Sequence, residues 1–282
     1  MHILVVIGQT TFVTHDMNYD TYYKLCCEQY NTDINTNFYQ KPVQVYESDF
    51  FGLEYINIVN SLAKKVKTDF DYDNDCDCDG LFTKQVNIWK YSDDIDSLCN
   101  IIVPYLEANK YGCHLYVDKI YIYRTNKIKT RQSSYEWHYD NNPDEIVKNL
   151  IYLNNVNEQN SPYEFLRNND KQGVLGNCTR RGTETWYPAP NNSRVGHLID
   201  NLIKTGYTTK RVVGPKGTMV SFINNSIHRA NPIIDGYRDV INIRVKPCLH
   251  KAPKYVSPQY TTSYEFSGVV NKDPTLAWNS KI

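Results

Sequence analysis

Apolar residues recur along the chain with two different periods. Over residues 49–66 and 93–109 they recur every three or four positions behind an acidic start, which predicts two amphipathic helices. A third helix is predicted over 193–204. Farther along, short runs rich in β-branched and aromatic residues stand between turn residues, and such runs are typical of strands. These strand segments are 114–125, 147–153, 217–223 and 239–245.

The order of these elements predicts the fold class. Helices that precede many short strands favour a mainly β protein with flanking helices, built as a sandwich or jelly roll. The chain has no internal repeat and no long Gly/Ser- or Pro-rich linker, so we expect one domain. The apolar start, residues 1–7, is short and lacks the basic flank and cleavage site of a signal peptide, and we interpret it as a buried strand.

Charge and composition exclude several classes of partner. The 282 residues carry 31 basic and 31 acidic side chains, so no broad basic surface is available for nucleic acid or an anionic membrane. No apolar run reaches the roughly 20 residues that a membrane span needs. The eight cysteines include no CxxC pair, which favours free thiols in a reducing compartment. We therefore expect a cytoplasmic protein, in the host cytoplasm if the Tyr- and Asn-rich composition reflects an AT-rich viral or phage genome.

An acidic segment over residues 69–79 partly matches a calcium-binding loop. Asp75, Asp77 and Asp79, followed by Gly, have the spacing that opens an EF-hand loop. The twelfth position, where that loop needs a bidentate Glu, is Val86. Without this ligand we favour a solvated surface loop over a cation site.

A first candidate for metal chemistry is the segment 137–143, with the letters WHYDNNP. His138 and Asp140 are two positions apart, so on a strand both side chains leave the same face. One imidazole and one carboxylate are two of the three ligands in a facial triad, whose third ligand is usually a second His from a distant strand. Alone, this pair favours the simpler interpretation of an edge-strand His beside a turn Asp.

A second segment supplies the missing groups. His228 follows an apolar strand and an Asn-Asn turn, which would bring it to the mouth of a barrel. Arg238 stands ten residues later at the head of the next strand, where a guanidinium can form a two-pronged ion pair with the carboxylate of a metal-bound keto acid. Each residue alone fits a surface His or a strand-end Arg, but their joint spacing favours a site.

Four segments together form a family pattern. They are WHYDNNP at 137–143, IYLNNVNEQNSP at 151–162, GTMVSFINNSIHRANP at 217–232 and GYRDVINIRV at 236–245. The pattern, within residues 120–247, resembles the Fe(II)/2-oxoglutarate-dependent oxygenases and specifically the phytanoyl-CoA dioxygenase-like family. This resemblance implies a double-stranded β-helix core over 113–248 with an insertion at 167–209, supported by residues 1–112 and followed by a C-terminal tail, 249–282.

The resemblance also implies roles for individual residues. His138, Asp140 and His228 correspond to the metal ligands, and Arg238 to the residue that grips the distal carboxylate of 2-oxoglutarate. Lys148 falls where relatives place a polar side chain on the same cosubstrate. It shares strand parity with Leu150 and Tyr152, so it is expected to point with them into the barrel, and a solvated strand-start lysine fits that position equally well.

The sequence departs from the family pattern in two places. Ser161 stands where the family often has Gly before the Pro of its NSP turn. The stretch 167–209 replaces the PGSH-like loop of many relatives, and we expect it to cover the mouth of the barrel. Its residues predicted to contact substrate are Arg180, Arg181, Trp186 and Tyr187.

The resemblance implies an enzyme that uses Fe(II), 2-oxoglutarate and O2 to hydroxylate a small polar molecule or metabolite. Asp140 is retained where halogenating relatives carry a small residue, which favours hydroxylation over halogenation. Two alternatives stay open: a non-catalytic β-barrel that binds a ligand, and a cupin-type metal enzyme that needs no keto acid. In each case the expected partner is a small molecule, with no nucleic acid or membrane.

Overall fold

The computed structural model describes residues 19–30, 37–72, 83–125, 127, 133–140, 144–176, 194–258 and 261–263. The helices of this part of the chain are α1 (Tyr19–Gln29), α2 (Asn37–Gln40), α3 (Gly52–Tyr72), α4 (Ser92–Leu106) and α5 (Gly196–Lys204). The strands are β1 (Val43–Tyr46), β2 (Thr83–Gln85), β3 (His114–Thr125), β4 (Val147–Tyr152), β5 (Tyr163–Arg167), β6 (Thr208–Val212), β7 (Met219–Ile223), β8 (His228–Ala230), β9 (Arg238–Cys248) and β10 (Thr262–Ser263). The strand predicted at 1–7 and the acidic residues 75–79 lie outside the described residues.

Two mainly antiparallel sheets face each other and enclose the core. The larger sheet has the strand order β1-β7-β4-β9-β3-β10, with β2 also paired to β3, and the smaller has the order β6-β5-β8. Inward side chains of both sheets pack into one apolar cluster, with Tyr152, Val220 and Val240 from the larger and Tyr163 and Phe165 from the smaller. Burial of apolar surface, worth about 25 cal/mol per Å², holds the sheets together. The predicted fold class, a mainly β double-stranded β-helix with flanking helices, is confirmed.

Helices α3 and α4 cover the outer face of the larger sheet. On α3 the residues Tyr55, Val59 and Leu62 are buried, at the three- to four-residue spacing that places them on one face. They belong to the same apolar cluster as Ile151 and Ile243, which point outward from the sheet. The larger sheet is therefore packed on both faces, and its strands form a rigid support for the side chains that point inward.

Two helix ends differ from the prediction. Helix α3 runs on to Tyr72 rather than residue 66, because the buried Phe70 continues its apolar face. Helix α4 ends at Leu106 and continues as a π-helix over Glu107–Tyr111, which ends where Gly112 adopts a left-handed φ of 69°. The other ends of the predicted helices and strands lie within three residues of those observed.

A β-bulge places a buried carboxylate beside two cations of β9. The register between β3 and β9 shifts between Val117 and Lys119, and the extra residue is Asp118. Asp118 accepts hydrogen bonds from Arg244 at 2.9 and 2.6 Å, and its carboxylate lies 2.8 Å from the Lys246 amine. Burial raises the pKa of Asp118, but the two cations outweigh burial and hold it at about 2. Arg244 is thus an ion-pair partner within the fold.

The described cysteines are free thiols, as the sequence predicts. All of them are buried, namely Cys26, Cys27, Cys99, Cys113 and Cys248. Among the described helices, none is long and apolar enough to cross a membrane.

We expect the buried amine of Lys110 to make stability depend on pH. Its Nζ atom lies 3.4 Å from the Ser221 hydroxyl, and burial lowers its pKa to about 7. An unfolded lysine titrates near pH 10.4, so between about pH 7 and 10 the unfolded chain binds more protons. The free energy of unfolding should therefore rise with pH, by on the order of 1 kcal/mol per unit. Lys110→Met should remove this contribution, so the slope measured by urea denaturation at pH 7, 8 and 9 should fall by about that amount.

The exposed Lys65 offers a matched control for this measurement, because its side chain is 53% accessible. Lys65→Met should keep the slope of the wild type. Equal slopes in the two variants would show that Lys110 does not cause the pH dependence.

Candidate metal centre

The side chains of His138, Asp140 and His228 converge at one point inside the barrel. One ligand atom from each lies within 4.8 Å of the other two. Two backbone hydrogen bonds join the histidines directly, from His138 N to His228 O at 3.0 Å and from His228 N to His138 O at 2.8 Å. This pairing fixes the segment before Asp140 against β8, so two distant parts of the sequence form one site.

One turn supports both parts of the site. The predicted Asn-Asn turn between β7 and β8 consists of Asn224 and Asn225, which are fully buried. The Asn224 carbonyl accepts a hydrogen bond from the Asp140 amide at 3.0 Å, and the Asn225 amide group donates to Asp144 at 2.7 Å. The turn therefore holds the Asp140 segment in place and also begins the strand that carries His228.

Both imidazoles are oriented by carbonyl groups two residues earlier in the chain. Nδ1 of His138 lies 2.8 Å from the Glu136 carbonyl, and Nδ1 of His228 lies 2.6 Å from the Ser226 carbonyl. With the proton on Nδ1 donated to the carbonyl, the lone pair on Nε2 is available to a metal ion. Burial is the main cause that lowers the pKa of both rings, that of His138 to about 3. The histidines are thus neutral, as metal ligation requires.

The two oxygens of Asp140 face different partners. Oδ1 lies 3.8 Å from Nε2 of His138, and Oδ2 accepts a hydrogen bond of 2.7 Å from the Lys148 amine. Burial raises the pKa of Asp140, but Lys148 and the two histidines outweigh burial and hold it well below its usual range. The carboxylate is therefore ionised and held on one side, with its other oxygen directed toward the histidines.

Lys148 points into the barrel, as its strand parity predicts. It lines the cavity beside the three converging side chains, and its amine donates a hydrogen bond to Asp140. The interpretation as a solvated strand-start lysine does not fit, because the side chain is only 19% accessible. Its place in the structure is that of a cation that orients the carboxylate.

Arg238 lines the same cavity, whose volume is about 290 Å³. The guanidinium is buried and donates hydrogen bonds to the Ser161 carbonyl and, at 3.2 Å, to the Thr125 hydroxyl. Its Nε atom has no hydrogen-bond partner, and neither of these acceptors is a carboxylate. A buried guanidinium without an anionic partner is costly, so this part of the cavity suits a carboxylate.

Sequence reasoning missed Tyr163. Its ring stacks on His228, with the ring centres 5.4 Å apart and the planes 23° from parallel. The phenol hydroxyl is buried in the cavity wall without a hydrogen-bond partner. The available signal was its position directly after the NSP turn, with the same strand parity as the buried Phe165.

Part of the predicted substrate loop lies outside the described residues. Those positions are Arg180, Arg181, Trp186 and Tyr187. At the ends of the predicted insertion, Arg167 and Thr208 pair with each other as the last residue of β5 and the first of β6. The connection between the two strands is therefore residues 168–207, slightly shorter than the predicted 167–209. Within this connection, Arg194 forms a backbone bridge with His138.

No family model matches the chain, and no curated protein matches it in sequence. Among solved structures it is similar to the epimerase SnoN in complex with Fe3+, alpha ketoglutarate and nogalamycin RO, with a TM-score of 0.49 and 13% identity over 80% of this chain and 83% of SnoN. It is similar to EctD from S. alaskensis with 2-oxoglutarate and 5-hydroxyectoine, with a TM-score of 0.49 and 14% identity over 81% and 85%. It is also similar to HygX from Streptomyces hygroscopicus with nickel, 2-oxoglutarate and hygromycin B bound, with a TM-score of 0.45 and 13% identity over 76% of this chain and 86% of HygX. These values are low, so the chemistry of this site rests on its own residues.

We expect that Gly176 is required for the geometry of the site. A Cβ atom added there would lie 2.3 Å from the ring of Tyr139, which stands between His138 and Asp140 in the chain. Gly176→Ala should therefore displace Tyr139, lower the free energy of unfolding by about 1–3 kcal/mol and weaken Co(II) binding. Chemical denaturation and a Co(II) titration measure the two effects.

Gly196→Ala is the matched control, since nothing lies within 4 Å of a Cβ added at this position of α5. It should leave both quantities near the wild-type values or raise stability slightly. If Gly176→Ala behaves in the same way, Tyr139 can move without disturbing the site.

We also expect Ser161→Gly to stabilise the fold. Ser161 has a left-handed φ of 68° and a buried hydroxyl without a hydrogen-bond partner. Glycine adopts a left-handed φ without strain and removes the unpaired hydroxyl, but it increases the conformational entropy of the unfolded chain. The free energy of unfolding should therefore rise by about 1 kcal/mol. Lys171→Gly, at a φ of 62° on an exposed side chain, gains only the backbone part. Urea denaturation should rank Ser161→Gly above Lys171→Gly, and the reverse order would show that the Ser161 hydroxyl is stabilising.

Proposed function

We propose that the protein is an Fe(II)- and 2-oxoglutarate-dependent dioxygenase that hydroxylates a small polar molecule, acting as one catalytic domain. The observation that carries this proposal is the meeting of His138, Asp140 and His228 in the same cavity as the buried Arg238. Two imidazoles and one carboxylate with open positions between them are the ligand set of non-haem Fe(II) oxygenases. The guanidinium supplies the charge that a dicarboxylate cosubstrate needs at its far end.

The residues present fit both groups. For the metal, one ligand atom from each of His138, Asp140 and His228 lies within 4.8 Å of the other two, and burial lowers the pKa of both imidazoles, which favours the neutral form that binds a metal. For 2-oxoglutarate, the unpartnered Nε of Arg238 and the unpartnered hydroxyl of Tyr163 are donors that a carboxylate can satisfy. The cavity of about 290 Å³ lies near the lower end of the range for small-molecule sites.

The side chains around the cavity have distinct roles in this reaction. Fe(II) and 2-oxoglutarate, when bound, supply with O2 an oxidative decarboxylation to succinate and CO2 that is coupled to substrate hydroxylation. Lys148 fixes Oδ2 of Asp140, so that Oδ1 is presented to the metal in one orientation. Tyr163 and Phe222 pack against the His228 ring, which keeps water away from that ligand. Arg238 anchors the distal carboxylate and so orients the keto group toward the triad.

The two alternative functions, a non-catalytic ligand-binding barrel and a cupin-type metal enzyme, leave some of these residues without a role. A ligand-binding barrel without catalysis has no use for two histidines whose Nδ1 atoms are both directed to carbonyls. A cupin-type metal enzyme without a keto acid leaves the buried Arg238 without an anion. Succinate release that depends on added Fe(II) and 2-oxoglutarate supports the dioxygenase, and binding of Fe(II) without any binding of 2-oxoglutarate supports the cupin-type enzyme.

We expect the metal and cosubstrate sites to separate by mutation. His228→Ala should abolish tight Fe(II) binding under anaerobic conditions. Arg238→Gln should retain Fe(II) but weaken 2-oxoglutarate binding by about 2–5 kcal/mol, the range for truncating one partner of a buried charge pair. Isothermal titration calorimetry of each variant measures both affinities.

Arg211→Gln serves as the control, because Arg211 lies on β6 away from the cavity lining and pairs with Glu158 and with Glu164 of β5. It should bind both groups as the wild type does. Loss of Fe(II) and 2-oxoglutarate to the same extent in Arg238→Gln would assign Arg238 to the fold rather than to the cosubstrate.

A further inference from the structure

Arg194 lies beside His138, on the side opposite to β8. His138 forms backbone bridges with His228 on one side and with Arg194 on the other. Residues directly opposite each other in antiparallel pairs project from the same face. The Arg194 side chain therefore leaves the backbone on the same face as the two imidazoles, one strand spacing beyond His138, or about 5 Å.

The Arg194 guanidinium is available at this position. The residue is exposed, and within the described ranges its side chain makes no hydrogen bond or ion pair. Its backbone is held, because the neighbouring Val195 donates a hydrogen bond of 2.9 Å to the Trp137 carbonyl and is itself buried.

A second group of cations lies on the facing sheet. Lys119, Arg244 and Lys148 are cross-strand partners on β3, β9 and β4, so they form one row on the inner face. The next row along the sheet contains Tyr121 and Asn242, which line the cavity. The Lys119 amine lies 5.3 Å from the centre of the Tyr121 ring, and since Tyr121 lines the cavity, the amine is directed toward it.

Several cations lie close together on the inner face of the larger sheet. Arg244 and Lys246 both contact the carboxylate of Asp118, and Lys148 contacts that of Asp140. Burial, and then the charge of Arg244, lowers the pKa of Lys119 to about 8, which is the effect of crowding cations where water is scarce. Lys119, Arg244 and Lys148 form the row and Lys246 lies farther along β9, and the carboxylates that contact these cations include Asp118 and Asp140.

We propose that the substrate is a small organic anion and that Arg194 binds its oxyanion beside the metal centre, with Lys119 contributing charge from the facing sheet. This inference rests on the proposed function, because it takes the open side of the triad to be where substrate lies. A carboxylate or a phosphate would satisfy the guanidinium through two parallel hydrogen bonds. The cation also fixes which atom of the substrate approaches the metal, since the charged end is held to one side of it.

The test uses the full chain with Co(II) and saturating 2-oxoglutarate under anaerobic conditions, with inorganic phosphate and acetate as the probes. Calorimetry gives their dissociation constants, and the relaxation of the phosphorus nucleus by Co(II) reports whether phosphate lies near the metal. We expect saturable binding with enhanced relaxation for at least one probe. Arg194→Gln should weaken that binding at least tenfold, Arg194→Lys should recover part of it, and Lys119→Gln should weaken it several-fold.

Arg211→Gln again controls for the loss of one surface cation and should bind the probes as the wild type does. Equal binding by the wild type and Arg194→Gln, or no saturable binding of either probe, overturns the proposal. So does loss of Co(II) by Arg194→Gln, because the residue would then act on the metal site. Failure of the wild type to bind Co(II) or 2-oxoglutarate is a separate result that overturns the proposed function, and it is measured before either probe is added.

Discussion

The reciprocal pair of backbone hydrogen bonds between His138 and His228 is the interaction on which the candidate site depends. The segment around His138 is not part of a long strand, and without this pairing nothing in the ladder of either sheet would fix its distance from β8. Because the bonds involve the backbone, the ligand positions are set by strand geometry and leave the side chains free to serve a metal. The Nδ1 contacts to Glu136 and Ser226 then set the rotation of each ring.

The barrel contains two buried charged groups in different surroundings: the carboxylate of Asp140 has cationic and imidazole neighbours, whereas the guanidinium of Arg238 has no anionic neighbour among the described residues. Around Asp140 the carboxylate has a cation on one side and histidines on the other, so it is stabilised in its ionised form. Around Arg238 the cation has only neutral acceptors, a carbonyl and a hydroxyl. A ligand with a negative charge at one end and a chelating group at the other would complement both groups, which is the physical basis for assigning 2-oxoglutarate to the cavity.

The sequence predicted those parts of the fold and site that depend on local periodicity. Strand β3 was predicted over its whole length because its run of β-branched and aromatic residues stands between turn residues. The parity of Lys148 correctly predicted that it points inward, whereas its partner Asp140 could not be inferred, since that contact joins a loop to a strand. Tyr163 was missed because its aromatic stacking depends on three-dimensional neighbours, and Ser161 was recognised as unusual only by comparison with a family pattern, before its left-handed φ gave the reason.

The β-bulge at Asp118 has a consequence for how such a barrel can change during evolution. The register between β3 and β9 is regular before Val117 and after Lys119, so Asp118 is an added residue between two intact ladders. Deleting it would join the ladders without moving the cross-strand partner of any residue farther along β3. A single-codon deletion would therefore remove the negative charge that pairs with Arg244 and Lys246 without changing the alignment of the strand that lines the cavity.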